Sequence, residues 1–112
     1  MSKLRRVIGR EELEALLKSD LVRQSCWIDD ENRRKQYYRE LIMSGDRERL
    51  LQMIGSIYRH KAQLAQTGKK LHLSDEGFLK DAQKLLGGEF SLVLDIPVAQ
   101  VGGYIRDAMT ET

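Results

Sequence analysis

The sequence predicts an all-α fold, a compact bundle of about five helices preceded by a short N-terminal extended tail. Three observations carry this. After position 9 the apolar residues recur at three- and four-residue intervals, the mark of a helix with one buried face. No stretch sustains the apolar–polar alternation of a half-buried strand. Short breakers containing Gly, Asp or Pro separate the periodic segments at helix-length spacing.

The first helix is expected over residues 10–18. Leu13, Leu16 and Leu17 fall on one face, Glu11, Glu12 and Glu14 suit the positive end of its dipole, and Lys18 suits the negative end. A second helix reaches to residue 43, with Asp29 or Asp30 as N-cap and Tyr37, Tyr38, Leu41 and Ile42 as its buried stripe. Ser44-Gly45-Asp46 then closes that helix and opens the next. Gly45 can take the left-handed conformation after the last turn, and Asp46 can accept from the amides that follow. So tight a break makes the two helices neighbours.

The third helix, over residues 47–65, is expected to be the longest. Leu50, Ile54, Ile57, Tyr58 and Leu64 keep helical spacing, with Lys61 the one polar exception. Thr67-Gly68 ends it. Ser74 is the expected cap of a fourth helix carrying Phe78, Leu79, Ala82, Leu85, Leu86, Phe90 and Val93. Gly87-Gly88 within it costs on the order of 1 kcal/mol per glycine against alanine, which predicts a close helix–helix contact there. Pro97 suits the first turn of a fifth helix, in which Val98, Val101, Ile105 and Ala108 continue the spacing. Residues 3–8, Lys-Leu-Arg-Arg-Val-Ile, have no partner strand in the chain. An isolated strand leaves its ladder groups unsatisfied, so this stretch is either a loose tail or part of a sheet lying outside this sequence.

Composition narrows the function classes. With 112 residues, 41% of them hydrophobic, the chain suits a single domain with one core. Its one cysteine, Cys26, excludes an internal disulfide and a Cys-based zinc site within one chain. His60 and His72 lack metal-ligand spacing and read as surface or capping residues; no serine sits in a nucleophile elbow. No enzyme activity, cofactor or metal is therefore expected. No apolar run nears the ~18 residues of a membrane helix, and the start lacks the apolar stretch of a signal peptide. The expectation is a cytoplasmic, monomeric domain with no membrane partner.

The formal net charge of +2 hides a dipolar layout. Residues 1–32 carry six basic and seven acidic side chains, residues 33–70 carry ten and three, and residues 71–112 carry three and seven. The basic middle suits a surface facing a polyanion such as a phosphate backbone. Part of the charge also reads as ordinary solvated helix surface, since Glu14–Lys18, Glu31–Lys35 and Glu76–Lys80 are favourable i,i+4 pairs.

Within that middle, Arg33, Arg34, Lys35 and Arg39 occupy the first half of the second helix. Cations there oppose the helix dipole, a local rule broken without a gain in stability, which points to function. Trp27, the single tryptophan, stands just before the cap of that helix. Two readings of it stay open: a core anchor, which the spacing favours, and an apolar wedge at a nucleic-acid groove. Lys69 and Lys70, after Gly68, form an exposed basic tip with no Walker pattern around it.

Taken in order, Trp27, Arg33-Arg34, Ser44-Gly45-Asp46, the segment 54–58, Gly68-Lys69-Lys70-Leu71, and 82–86 with Glu89-Phe90 resemble the CarD-like bacterial transcription regulators, the CarD/CdnL group. The resemblance covers residues 4–108 and is to the C-terminal helical domain, most of all in Firmicutes-type members. It implies a Tudor-like module that binds bacterial RNA polymerase, lying outside this sequence. Residues 1–9 are then a tail or linker from that module, and residues 10–112 a helical DNA-binding domain. The implied function is contact with promoter DNA near the upstream edge of the transcription bubble, in a nucleoid-associated setting. By the same resemblance Trp27 is the wedge and Lys35 a basic contact on the second helix, with Arg33 and Arg34 nearby. The fourth helix, which often starts with basic residues in the family, starts here with Asp75-Glu76-Gly77, so Lys69 and Lys70 would supply the charge. The alternative expectation is a protein–protein interaction module whose basic face meets an acidic partner.

Overall fold

The computed structural model describes residues 8–110. They form six helices and, among the described residues, no strand: α1 (Arg10–Leu17), α2 (Asp20–Arg23), α3 (Glu31–Ser44), α4 (Arg47–Gln66), α5 (Leu73–Leu94) and α6 (Val98–Thr110). Five of these follow the expected order. The addition is α2, a single turn in which the Ser19 hydroxyl accepts from the Val22 amide at 3.2 Å. Of the extended stretch 3–8, residues 3–7 lie outside the described residues; Ile8 is buried in the core.

Local chemistry accounts for the helix ends. The Asp30 carboxylate accepts from the Arg33 amide at 3.1 Å and starts α3. At the α3–α4 break Gly45 is left-handed, with φ 66°, and Asp46 accepts from the Arg49 amide at 3.0 Å. Helix α5 departs from expectation. It opens one residue before Ser74, with His72 at the N-cap position and no side-chain cap bond. The Glu76 amide donates to the His72 carbonyl at 3.1 Å, so the backbone alone closes the first turn. Asp95, with φ 57°, stops α5, and the Gln100 amide donating to the Pro97 carbonyl at 2.9 Å begins α6.

Helix α4 is the hub. Every residue of its stretch 50–57 is buried, because α2, α3, α5 and α6 all pack on it. Tyr38 from α3, Leu79, Leu86 and Phe90 from α5, and Val101 and Ile105 from α6 complete the core. The Tyr38 and Phe78 rings meet edge-on at 5.8 Å. The expected approach at the glycine pair occurs at one of them. A methyl on Gly87 would lie 3.4 Å from the Val98 side chain, whereas Gly88 faces open space. No single helix among the described residues is long and apolar enough to cross a membrane; α5 and α6 pass that test only together, bent by 92°.

Candidate functional site

The segment between α2 and α3 has no regular structure, so its backbone carbonyls need partners. Arg34 supplies them. Its Nη1 donates to the Ile28 carbonyl at 2.8 Å and the Asp29 carbonyl at 3.4 Å. The other edge of the guanidinium meets Asp75 of α5 in a two-pronged ion pair, Nε to Oδ1 at 2.9 Å and Nη2 to Oδ2 at 3.0 Å. Both side chains are buried, Arg34 at 3% exposure and Asp75 at 0%. The Arg34 guanidinium carbon also lies 4.2 Å from the centre of the Trp27 ring, a cation–π contact. Trp27 stacks on His60 of α4, with ring centres 3.7 Å apart and planes at 15°.

These contacts involve two of the expected site residues. Arg34 is a buried clamp held by protein groups, and it is not a free cation for a phosphate. The reason is that positions 34, 38 and 41 share the buried face of α3, so the arginine sits on the core side with Tyr38 and Leu41. Trp27 is half-buried and packed against the core, its ring engaged by His60 and Arg34. The core-anchor reading of this tryptophan is the one its packing matches.

Helical geometry also separates the remaining cations. At about 100° per residue, Arg33 and Lys35 stand on opposite flanks of the buried Arg34. Arg33 lines a shallow depression with Ile28, Gln36, Tyr37 and Glu40. Lys35 and Arg39 share the other flank, one turn apart. Lys35 Nζ meets Glu31 at 3.0 Å, and His72 Nε2 meets the same carboxylate at 3.6 Å. Glu31 thereby links the start of α3 to His72, the last residue of the α4–α5 connection, which also carries the exposed Lys69 and Lys70. Arg33, Arg39, Lys69 and Lys70 make no ion pair among the described residues.

At the α4–α5 connection lies a half-open groove of about 570 Å³, lined by Lys61, Ala65, Lys69, Lys70, Leu71, Leu73 and Glu76. Of the acidic start of α5, Asp75 is taken up by Arg34, and Glu76 points to Lys61 at 3.9 Å instead of to Lys80. Lys69 and Lys70 are therefore the dominant free charge around this groove. The opposite end of α4 carries the contrary sign: Glu12, Asp46 and Glu48 line a groove there with Ile8 and Leu16, and Arg47 in the same groove is paired with Glu89 at 2.6 Å.

Two titrations are shaped by this packing. Burial, followed by the nearby Arg34 charge, holds the His60 imidazole below its ordinary value. Burial pushes the Cys26 thiol up, away from thiolate reactivity. The Cys26 amide donates to Ser56 Oγ at 2.8 Å, and its sulfur lies 3.4 Å from that oxygen. Among the described residues, no three His, Cys, Asp or Glu side chains converge as a metal site.

Asp75 and His60 belong to this end of the bundle; the sequence marks His60 only as a surface or capping residue and Asp75 only as part of an acidic helix start. The period-3.6 register would have placed Arg34 on the core face, which demands a buried carboxylate partner. Nothing local marks Asp75 as that partner. In comparisons with known proteins, no family model, no curated protein and no solved structure matches the chain.

Proposed function

We propose that residues 10–112 form a DNA-binding domain of a CarD-like transcription regulator. In this reading it contacts promoter DNA near the upstream edge of the transcription bubble, while a module outside this sequence binds RNA polymerase. The observation that supports it is a set of cations at this end: Lys35, held to Glu31, and the exposed Arg39 on one flank of α3, and the exposed Lys69 and Lys70 on the connection whose His72 meets the same Glu31. A set of this kind suits a phosphate backbone. Contacts to phosphate position a protein without reading sequence, so binding is weak and sequence-tolerant, and it favours bent or forked DNA. Tethering to the polymerase would raise the effective concentration enough for such a contact to matter.

The test is a fluorescence-anisotropy titration of fork-junction DNA with the wild-type chain and with Lys69→Ala/Lys70→Ala. Binding by the wild type that is weakened by the double substitution supports the reading. Binding of polymerase subunits in place of DNA would turn it into the protein-interaction module.

A further inference from the structure

We propose that the exposed face of α5 centred on Gly88 docks a second copy of this chain, the two α5 helices crossing antiparallel at that glycine. The inference is independent of the DNA-binding reading. Five large hydrophobic side chains stay exposed among the described residues, and three of them, Leu85, Leu92 and Val98, stand around Gly88. Leu85 and Leu92, 50% and 77% exposed, lie three residues before and four residues after the glycine. Helical periodicity puts these three positions on one face. Val98, at the start of α6, edges the same face beside Gly87. Gly88 is itself exposed in mid-helix, with nothing in the chain within 4 Å of an added Cβ. A glycine there weakens the helix but lets another backbone come close.

The charges at the two ends of this face identify the occupant. Lys80 and Lys84 are exposed at one end and Asp95 at the other, and none of them makes an ion pair among the described residues. A copy laid parallel would set like charges level with each other. A two-fold axis through Gly88 reverses the order, so that positions before the glycine in one chain face positions after it in the other, an isologous contact. At about 100° per residue, Leu85 and Leu92 fall to one side of Gly88, and Lys84 and Asp95 to the other. The two-fold axis keeps each side matched with itself. Leu85 then stands within ~2 Å, along the helix, of the level of Leu92 in the second copy, and Lys84 within ~5 Å of the level of its Asp95. Asp81, exposed on the same face, is one turn from Lys84 of its own chain, so two lysines answer two carboxylates at each end of the crossing. One helix face is smaller than the ~1,200–2,000 Å² of a stable complex. The dimer is therefore weak and gives way in dilute solution to the monomer expected from the sequence.

The experiment is sedimentation velocity on the full 112-residue chain from micromolar to millimolar concentration. The wild type is expected to pass from monomer to dimer as concentration rises. Leu92→Glu, at a side chain that its own chain barely covers, should stay monomeric throughout with its melting temperature unchanged. Lys84→Glu should weaken association about tenfold, because symmetry counts the lost and now repulsive pair twice. Gly88→Ala, which gains stability as a dilute monomer, should associate less than the wild type, since its methyl stands in the crossing. Orientation is read in a Cys26→Ser background: on oxidation, the Leu85→Cys and Leu92→Cys chains should cross-link when mixed and not when alone. A wild type that stays monomeric at millimolar concentration overturns the proposal and leaves this face to an unlike partner. A dimer that survives Leu92→Glu overturns it as well. Cross-linking of Leu85→Cys chains with one another in preference to the mixture overturns the antiparallel crossing and the argument from charge with it.

Discussion

Arg34 and Asp75, 41 residues apart in the chain, close a two-pronged ion pair at 2.9 and 3.0 Å inside the bundle and so lock α3 to α5. Removing either partner leaves the other charge buried without compensation, which costs about 3–5 kcal/mol. Arg34→Ala also releases the Ile28 and Asp29 carbonyls and loosens the segment that carries Trp27. Urea denaturation should therefore show Arg34→Ala and Asp75→Ala each strongly destabilised. The double substitution should lose clearly less than the two losses combined, because the stranded charge is gone. Additive losses would mean that the pair is not coupled.

The His60 imidazole next to this clamp is held below its ordinary value of 6.5 by burial and by Arg34. In the window between the lowered value and 6.5 the unfolded chain binds more protons than the folded one. Stability therefore rises with pH through that window and falls as the solution is acidified below 6.5. Trp27 is the only tryptophan and stacks on this ring, so its emission reports the titration. The emission midpoint is expected below 6.5, and His60→Phe should remove both that midpoint and this part of the acid sensitivity.

Legibility in the sequence followed the range of the interaction. The Ser44-Gly45-Asp46 break was readable because its cap, its left-handed glycine and its helix stop all act within a few residues. The single-turn α2 was not, since four residues are too few to show a period, although its Ser19 cap is ordinary. Arg34 was read as surface charge because its partner sits on another helix, and composition counts a buried arginine like an exposed one. Charge bookkeeping by segment had the same blind spot at Asp75. It entered the acidic third of the chain as free charge, yet it is spent inside the fold and leaves Lys69 and Lys70 less opposed.

The grouping of cations gives the DNA reading a number. With Lys35, Arg39, Lys69 and Lys70 each neutralising one phosphate, log K should fall against log salt concentration with a slope near about −3.6. Lys69→Ala/Lys70→Ala should halve the slope to about −1.8, by the same rule. Arg33→Ala, on the opposite flank of α3, should leave it unchanged. A flat salt response in the wild type would exclude an electrostatic interface.

The two glycines in the middle of α5 should respond differently to a methyl group. Gly88 lies in a helix interior, with nothing within 4 Å of an added Cβ. It therefore bears the entropic cost of glycine without the close packing that would justify it. Gly88→Ala is expected to stabilise the domain by about 0.5–1 kcal/mol. Gly87→Ala brings its methyl to 3.4 Å from Val98, an ordinary contact that leaves little room, so its gain should be smaller. Thermal melting of the two variants decides the matter: equal gains would mean that Val98 moves freely at the α5–α6 contact. A loss at Gly88 would mean that this exposed position is occupied in solution by a closely packed partner, since nothing in the chain itself opposes the methyl.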